Sequence, residues 1–150
     1  MPRRGHRGSK ITSSLAGVWA GMIIGGSLIA APAKFQAASL TRTVALDVGR
    51  AQFGALAVGE ALICVVLVAT VALAARHRWR MVSVAVAAFA VQQLLIMPAL
   101  DARTVRAISG AELEPSSLHG VYVAVELAKV ACLLVAAFGR PVRAKSSGTG

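Results

Sequence analysis

The chain has 150 residues, 57% of them hydrophobic and 15% charged, and its formal net charge is +10. A soluble domain carries about 25% charged residues, so this composition excludes an ordinary water-soluble core. Four apolar blocks account for most of the chain and leave too little polar sequence for a second domain. The positive charge does not point to nucleic acid, because no aromatic residues interleave with the basic ones to stack bases; basic residues flanking apolar blocks suit anionic lipid headgroups instead.

Residues 1–10 form a basic head containing Arg3, Arg4, Arg7 and Lys10. The first apolar block covers residues 11–33 and matches the ~20 residues needed to cross a ~30 Å hydrocarbon slab, as do the other three. Ala31-Pro32-Ala33 resembles a signal-peptidase site, but the run before it exceeds a typical h-region of about 7–15 residues. Pro32 is therefore expected to mark the end of a retained helix. A more polar connection with Arg42, Asp47, Gly49 and Arg50 follows over residues 35–52. Within it Leu40, Val44 and Val48 recur at helical spacing, so part lies along the interface or extends the next helix.

The second block covers residues 53–75 and stops at Arg76-His77-Arg78-Trp79-Arg80. The third covers residues 81–100, with Pro98 near its end; the short turn between the two makes them antiparallel neighbours. A polar loop over residues 101–117 carries Glu112, Glu114 and Pro115. The fourth block, residues 118–138, ends at the helix stop Gly139-Arg140-Pro141, and the Ser/Gly-rich basic tail of residues 139–150 reads as disordered. The expected fold is all-α: one multi-pass membrane bundle of four transmembrane helices.

Its orientation follows from Lys and Arg. The head, the Arg76–Arg80 turn and the tail (Arg140, Arg143, Lys145) hold ten, against five (Lys34, Arg42, Arg50, Arg103, Arg106) in the other connections. The positive-inside rule places the ten, and both termini, in the cytoplasm of a cell-membrane protein. Asp47, Asp101, Glu112 and Glu114 all fall on the opposite side.

The informative residues are the polar ones within the apolar blocks: Glu60, Gln92, Gln93, Glu126 and Lys129. A charge at mid-membrane costs about 2.5–3.5 kcal/mol, so such residues face the bundle interior. At 1.5 Å per residue, Glu60 lies about 10 Å below the outer end of its helix, Gln92 and Gln93 about 10–12 Å, and Glu126 and Lys129 about 12 and 16 Å. Three helices thus place polar groups in one layer of the outer half. On the fourth, His119, Tyr122, Glu126 and Lys129 form a single stripe spanning roughly 80°, read as the wall of a polar pocket open to the exterior. Glu126 and Lys129, three apart, can pair directly, and Glu60 must share Lys129 or stay neutral. The plainer alternative is interhelical hydrogen bonding that holds the bundle together.

His119 is the one histidine near the outer face, too few for haem or copper, and no cofactor or metal is expected. Cys64 and Cys132 read as small buried hydrophobes. Gly17, Gly21 and Gly25 form two overlapping G-x-x-x-G motifs, a ridge for packing within the bundle or for homo-oligomerisation; Ala124, Ala128, Cys132 and Ala136 make a similar strip on the fourth helix. No nucleophile–base set, phosphate loop, dinucleotide-binding glycine pattern or zinc spacing occurs.

Three stretches carry a resemblance. Trp19-Ala20-Gly21 through Gly25-Gly26 and on to Ala31-Pro32-Ala33-Lys34-Phe35, then Met97-Pro98-Ala99-Leu100-Asp101-Ala102-Arg103, then Leu118-His119-Gly120 resemble the transmembrane protein 205-like family, four-helix membrane proteins forming a domain of unknown function. Family members often have Phe shortly before the His, where this chain has Glu114-Pro115-Ser116-Ser117. The resemblance implies four helices and points to Pro32, Phe35 and His119; it implies no reaction and does not extend to Glu60, Glu126 or Lys129.

The expected function is non-enzymatic: binding or moving a small polar or cationic solute through a pocket lined by Glu60, Gln92, Gln93, His119, Tyr122, Glu126 and Lys129. The alternatives are a scaffold or assembly partner acting through the first-helix glycines, and a haem- or copper-linked redox protein.

Overall fold

The computed structural model describes residues 3–74 and 78–139, with side chains described for 8–73 and 78–139. Ala75, Arg76, His77 and residues 140–150 lie outside the described residues, and with them the end of the second block, half of the basic turn and nearly all of the tail. The described residues form helices and no strands.

Four of these helical stretches are long and apolar enough to cross a membrane. Helix α1 covers residues 3–36: an α-helix Arg3–Ile23, a π-helical segment Ile24–Ala30, an α-turn Ala31–Ala33 and a 3-10 turn Lys34–Gln36. Helix α2 is Arg42–Ala74. Helix α3 covers residues 79–108, with the π-helical segment Gln92–Ile96 between Trp79–Val91 and Met97–Ile108. Helix α4 is Leu118–Phe138. Each packs on its neighbours in the chain, and α1 also packs on α4, which closes the bundle.

Three helices have bounds that differ from the sequence reading. Helix α1 starts within the basic head and continues through Pro32 to Gln36 instead of ending at the proline. In the π-helical segment the Ala31 N–H reaches back five residues to the Gly26 carbonyl. That wider turn moves the carbonyl a proline ring would strike in a regular α-helix. Pro98 follows the second π segment, where the Met97 N–H reaches the Gln92 carbonyl. Helix α2 starts eleven residues before Phe53, at Arg42. Thr41 caps it, its Oγ1 accepting the Val44 N–H at 3.3 Å. Helix α3 runs past Leu100 to Ile108, so the polar loop shrinks to residues 109–117. It stops at Gly110, whose φ of 83° lets the Ala111 N–H return to the Arg106 carbonyl at 3.0 Å. Helix α4 has the bounds read from the sequence.

The apolar core sits at one end of the bundle. Ala16, Trp19, Ala20 and Ile23 of α1 meet Leu67 and Val71 of α2, Val82 and Ala85 of α3, and Val130, Leu133, Ala136 and Ala137 of α4. Large apolar side chains also cover the outside: Leu73 is 87%, Phe138 78% and Leu94 74% exposed. So much exposed apolar surface would be a liability in water and is the surface that lipid tails require. At the core end, the Arg78 guanidinium donates to the Ala136 and Ala137 carbonyls and so satisfies the open C-terminal carbonyls of α4.

The glycine ridge does not serve the bundle as expected. A Cβ at Gly17 would lie 3.9 Å from Ala137, an ordinary contact, while Gly21 and Gly25 have nothing within 4 Å. The close approach of α1 and α2 falls instead at Gly26, where an added Cβ would lie 3.2 Å from Leu56, and at Gly59, where one would lie 3.1 Å from the Met22 sulfur. Gly26→Leu should therefore destabilise the bundle by about 1–3 kcal/mol through overpacking, and Gly21→Leu should leave the monomer unchanged; unfolding of both variants in detergent measures the difference.

Candidate functional site

Just beyond the core, the four helices deliver polar side chains to one buried cluster. Helix α2 contributes Glu60, α3 Gln92, and α4 Tyr122, Glu126 and Lys129; all five are buried. Lys129 lies at the centre. Its Nζ donates to Glu60 Oε2 at 2.5 Å and pairs with Glu126 Oε2 at 2.9 Å. Its remaining side faces the Phe89 ring, 5.4 Å from the centroid. Gln92 Nε2 donates to Glu126 Oε2 at 2.6 Å, and Tyr122 Oη donates to Glu126 Oε1 at 3.3 Å. Helix α1 joins through Trp19, whose Nε1 donates to Glu60 Oε2 at 2.8 Å and whose ring stands edge-on to Phe89 at 5.9 Å.

Five of the seven expected residues thus come together. Gln93, one position further round α3, is half-buried and makes none of these bonds. His119 is exposed and lines a cavity above the cluster. Glu60 shares Lys129, the first of the two options open to it in the sequence. Trp19 and Phe89 join the cluster beyond the residues read from the sequence. Trp19 carried a usable signal: an indole N–H deep in an apolar helix needs an acceptor, and acidic residues within the blocks are few.

The cluster is unusual in its charge balance. One ammonium stands between two carboxylates, and neutrality is reached only when a proton or a further cation joins them. Gln92 Oε1 is also buried without a hydrogen-bond partner, so the neighbourhood holds an unused acceptor.

A cavity of about 460 Å³ opens from this cluster towards the end of the bundle opposite the apolar core. Glu126 and Tyr122 line its deep end. Its walls are mostly apolar, with Leu28 from α1, Leu46 and Phe53 from α2, Met97 and Leu100 from α3 and Val123 from α4. Both π-helical segments and the prolines behind them lie at this level. Phe53 stands edge-on to Tyr122 at 5.7 Å. Further out are Lys34, Arg50, Asp101 and His119. Arg50 grips Asp101 with two bonds, Nε to Oδ1 at 2.6 Å and Nη2 to Oδ2 at 3.2 Å, which tie α2 to α3. Lys34 Nζ lies 5.5 Å from the Phe35 centroid and 5.4 Å from that of Phe53, and donates to Gln52 Oε1 at 3.3 Å. Gln52 in turn donates to the Gly26 carbonyl at 2.7 Å, within the first π-helical segment.

Cys64 and Cys132 are free thiols, and among the described residues no group of three His, Cys, Asp or Glu side chains is placed to hold a metal ion.

Removing the one ammonium of the cluster strands both carboxylates. Lys129→Met should destabilise the bundle by about 3–5 kcal/mol. The triple variant Lys129→Met, Glu60→Gln, Glu126→Gln should recover most of that loss, and a mutant cycle by denaturation in detergent measures the coupling.

The chain matches no protein-family model, no curated protein and no solved structure, so its function has to be read from this cluster and the cavity above it.

Proposed function

We propose that this chain is a non-enzymatic, multi-pass protein of the cell membrane that binds a small positively charged solute, and moves it, through the cavity in the outer half of the bundle. The observation that carries the reading is Glu126: a fully buried carboxylate at the deep end of a cavity, in a cluster with one more carboxylate than ammonium. A cationic solute supplies the missing positive charge, and the Ser27, Tyr122 and Glu126 oxygens in the cavity wall offer its N–H groups acceptors. A cavity of about 460 Å³ falls within the ~300–1,000 Å³ range of small-molecule sites.

In this proposal all four helices span the bilayer. The core end, with the basic head, the basic turn and the tail, lies in the cytoplasm, and the cavity opens outside. The resemblance to the transmembrane protein 205-like family belongs to the same proposal and adds the fold without a ligand.

A second reading, an assembly partner, draws on one observation: Gly21 and Gly25 face outwards with open space before them, as a close helix contact between two proteins requires. Crosslinking of Gly21→Leu against the wild type separates the two, because the cavity lies on the bundle's inside and does not depend on that face.

Glu126→Gln should keep the bundle inserted and folded while reducing solute binding or uptake at least about tenfold, the weight of a charge-assisted hydrogen bond. Uptake by proteoliposomes, with insertion checked by protease protection, measures it; undiminished uptake counts against the site.

A further inference from the structure

The cavity has a second charged end. Lys34 lines it, and its ammonium is held only by two aromatic faces and one amide oxygen. Among the described residues no carboxylate stands within ion-pair distance of it. Arg50, its cationic neighbour, is already spent on Asp101. Gly49 gives Lys34 its place, since a Cβ there would come within 2.5 Å of the Nζ. The deep end has the opposite imbalance, with Glu126 and Glu60 sharing Lys129.

Between these ends the lining is apolar and aromatic. Lys34 lies over Phe53, Phe53 stands against Tyr122, and the Tyr122 hydroxyl reaches Glu126. Two aromatic rings therefore separate the spare positive charge from the spare negative one. A solute with a single charge satisfies one end only: a lone cation answers the buried Glu126, where an unpaired charge is costly, and leaves the half-buried Lys34 ammonium without a carboxylate.

We infer that the cavity takes a zwitterion whose ammonium and carboxylate are separated by an apolar span, such as an ω-amino acid or a short apolar peptide, with the ammonium at Glu126 and the carboxylate at Lys34. The two charges of an α-amino acid share one carbon and cannot reach both ends. The assignment rests on the cationic-solute reading above and adds a second, opposite anchor to it.

Three probes of equal chain length separate the two claims: ω-aminooctanoate, octylamine and octanoate, titrated calorimetrically into the protein in lipid nanodiscs, with empty nanodiscs subtracted. ω-Aminooctanoate should bind at least about tenfold more tightly than either single-charge probe, the weight of one added charge-assisted bond. Lys34→Gln should bring ω-aminooctanoate down to the octylamine level and leave octylamine itself no weaker. Lys34 is partly exposed, so this variant is expected to fold, and retained octylamine binding certifies that it has. Equal binding of ω-aminooctanoate and octylamine to the wild type, or an unaltered preference in Lys34→Gln, overturns the zwitterion assignment and leaves the cation site standing. Octanoate as the tightest ligand overturns the assignment in favour of an anionic amphiphile. Failure of both amines brings down the cationic-solute reading as well.

Discussion

The bundle is organised around one constraint: an ammonium and two carboxylates removed from water must satisfy one another. Desolvating a charged side chain costs several kcal/mol, and only close, well-directed partners recover it. Lys129 meets that demand from α4 by reaching Glu60 on α2 and Glu126 on its own helix. Trp19 and Gln92 then add a donor each to the two carboxylates, from α1 and α3. All four helices are thereby tied at one level. Between apolar helices in an apolar solvent, where many registers pack about equally well, such a knot singles out one of them.

The two sides of that knot differ. Below it, side chains from four helices interdigitate into a core built from Trp19, Leu67, Val82, Leu133 and their neighbours. Above it, two of the four helices pass through π-helical segments, and both carry a proline just beyond. A π-helical turn is wider than an α-helical one and displaces the side chains that follow it, which is why such segments accompany binding sites. Here both lie at the level of the cavity, and Gln52 buttresses one of them through the Gly26 carbonyl. The outer reaches of α2 and α3 are clasped by Arg50 and Asp101. At the open end α2 and α3 are thus joined by an ion pair, where the other end is held by packing.

Much of this was legible in the sequence, and the failures have identifiable causes. Uninterrupted apolar runs announced four helices, and α4 came out with both bounds right because a serine pair precedes it and a glycine follows. Depth counting put Glu60, Gln92, Glu126 and Lys129 in one layer, since 1.5 Å per residue holds for any helix whatever its surroundings. The outer ends of α2 and α3 differ from the sequence reading because the polar residues there are helix and not loop. A helix that projects beyond the hydrocarbon turns polar without ending, and α2, with 33 residues, is about 50 Å long against a ~30 Å slab. Leu40, Val44 and Val48 carried that signal. Pro32 misled because a π-helical turn has no sequence signature that periodicity detects. Lys34 counted only as a loop charge; its role depends on Phe53 and Gly49, which approach it through the fold. The glycine ridge was real as a pattern, but a pattern on one helix does not say which neighbour reads it.

The composition of the cluster bears on whether it serves packing or function. Interhelical adhesion needs no ions: a glutamine pair or a serine on a backbone carbonyl bonds helices together without desolvating a charge. If an ion pair were used for adhesion alone, one carboxylate facing Lys129 would complete it. The second carboxylate adds its own desolvation cost and brings no second cation, so for stability by itself it is a net loss. It makes physical sense where the deficit is filled from outside the chain, and Glu126, which supplies the cluster's side of the cavity, is placed to receive whatever fills it.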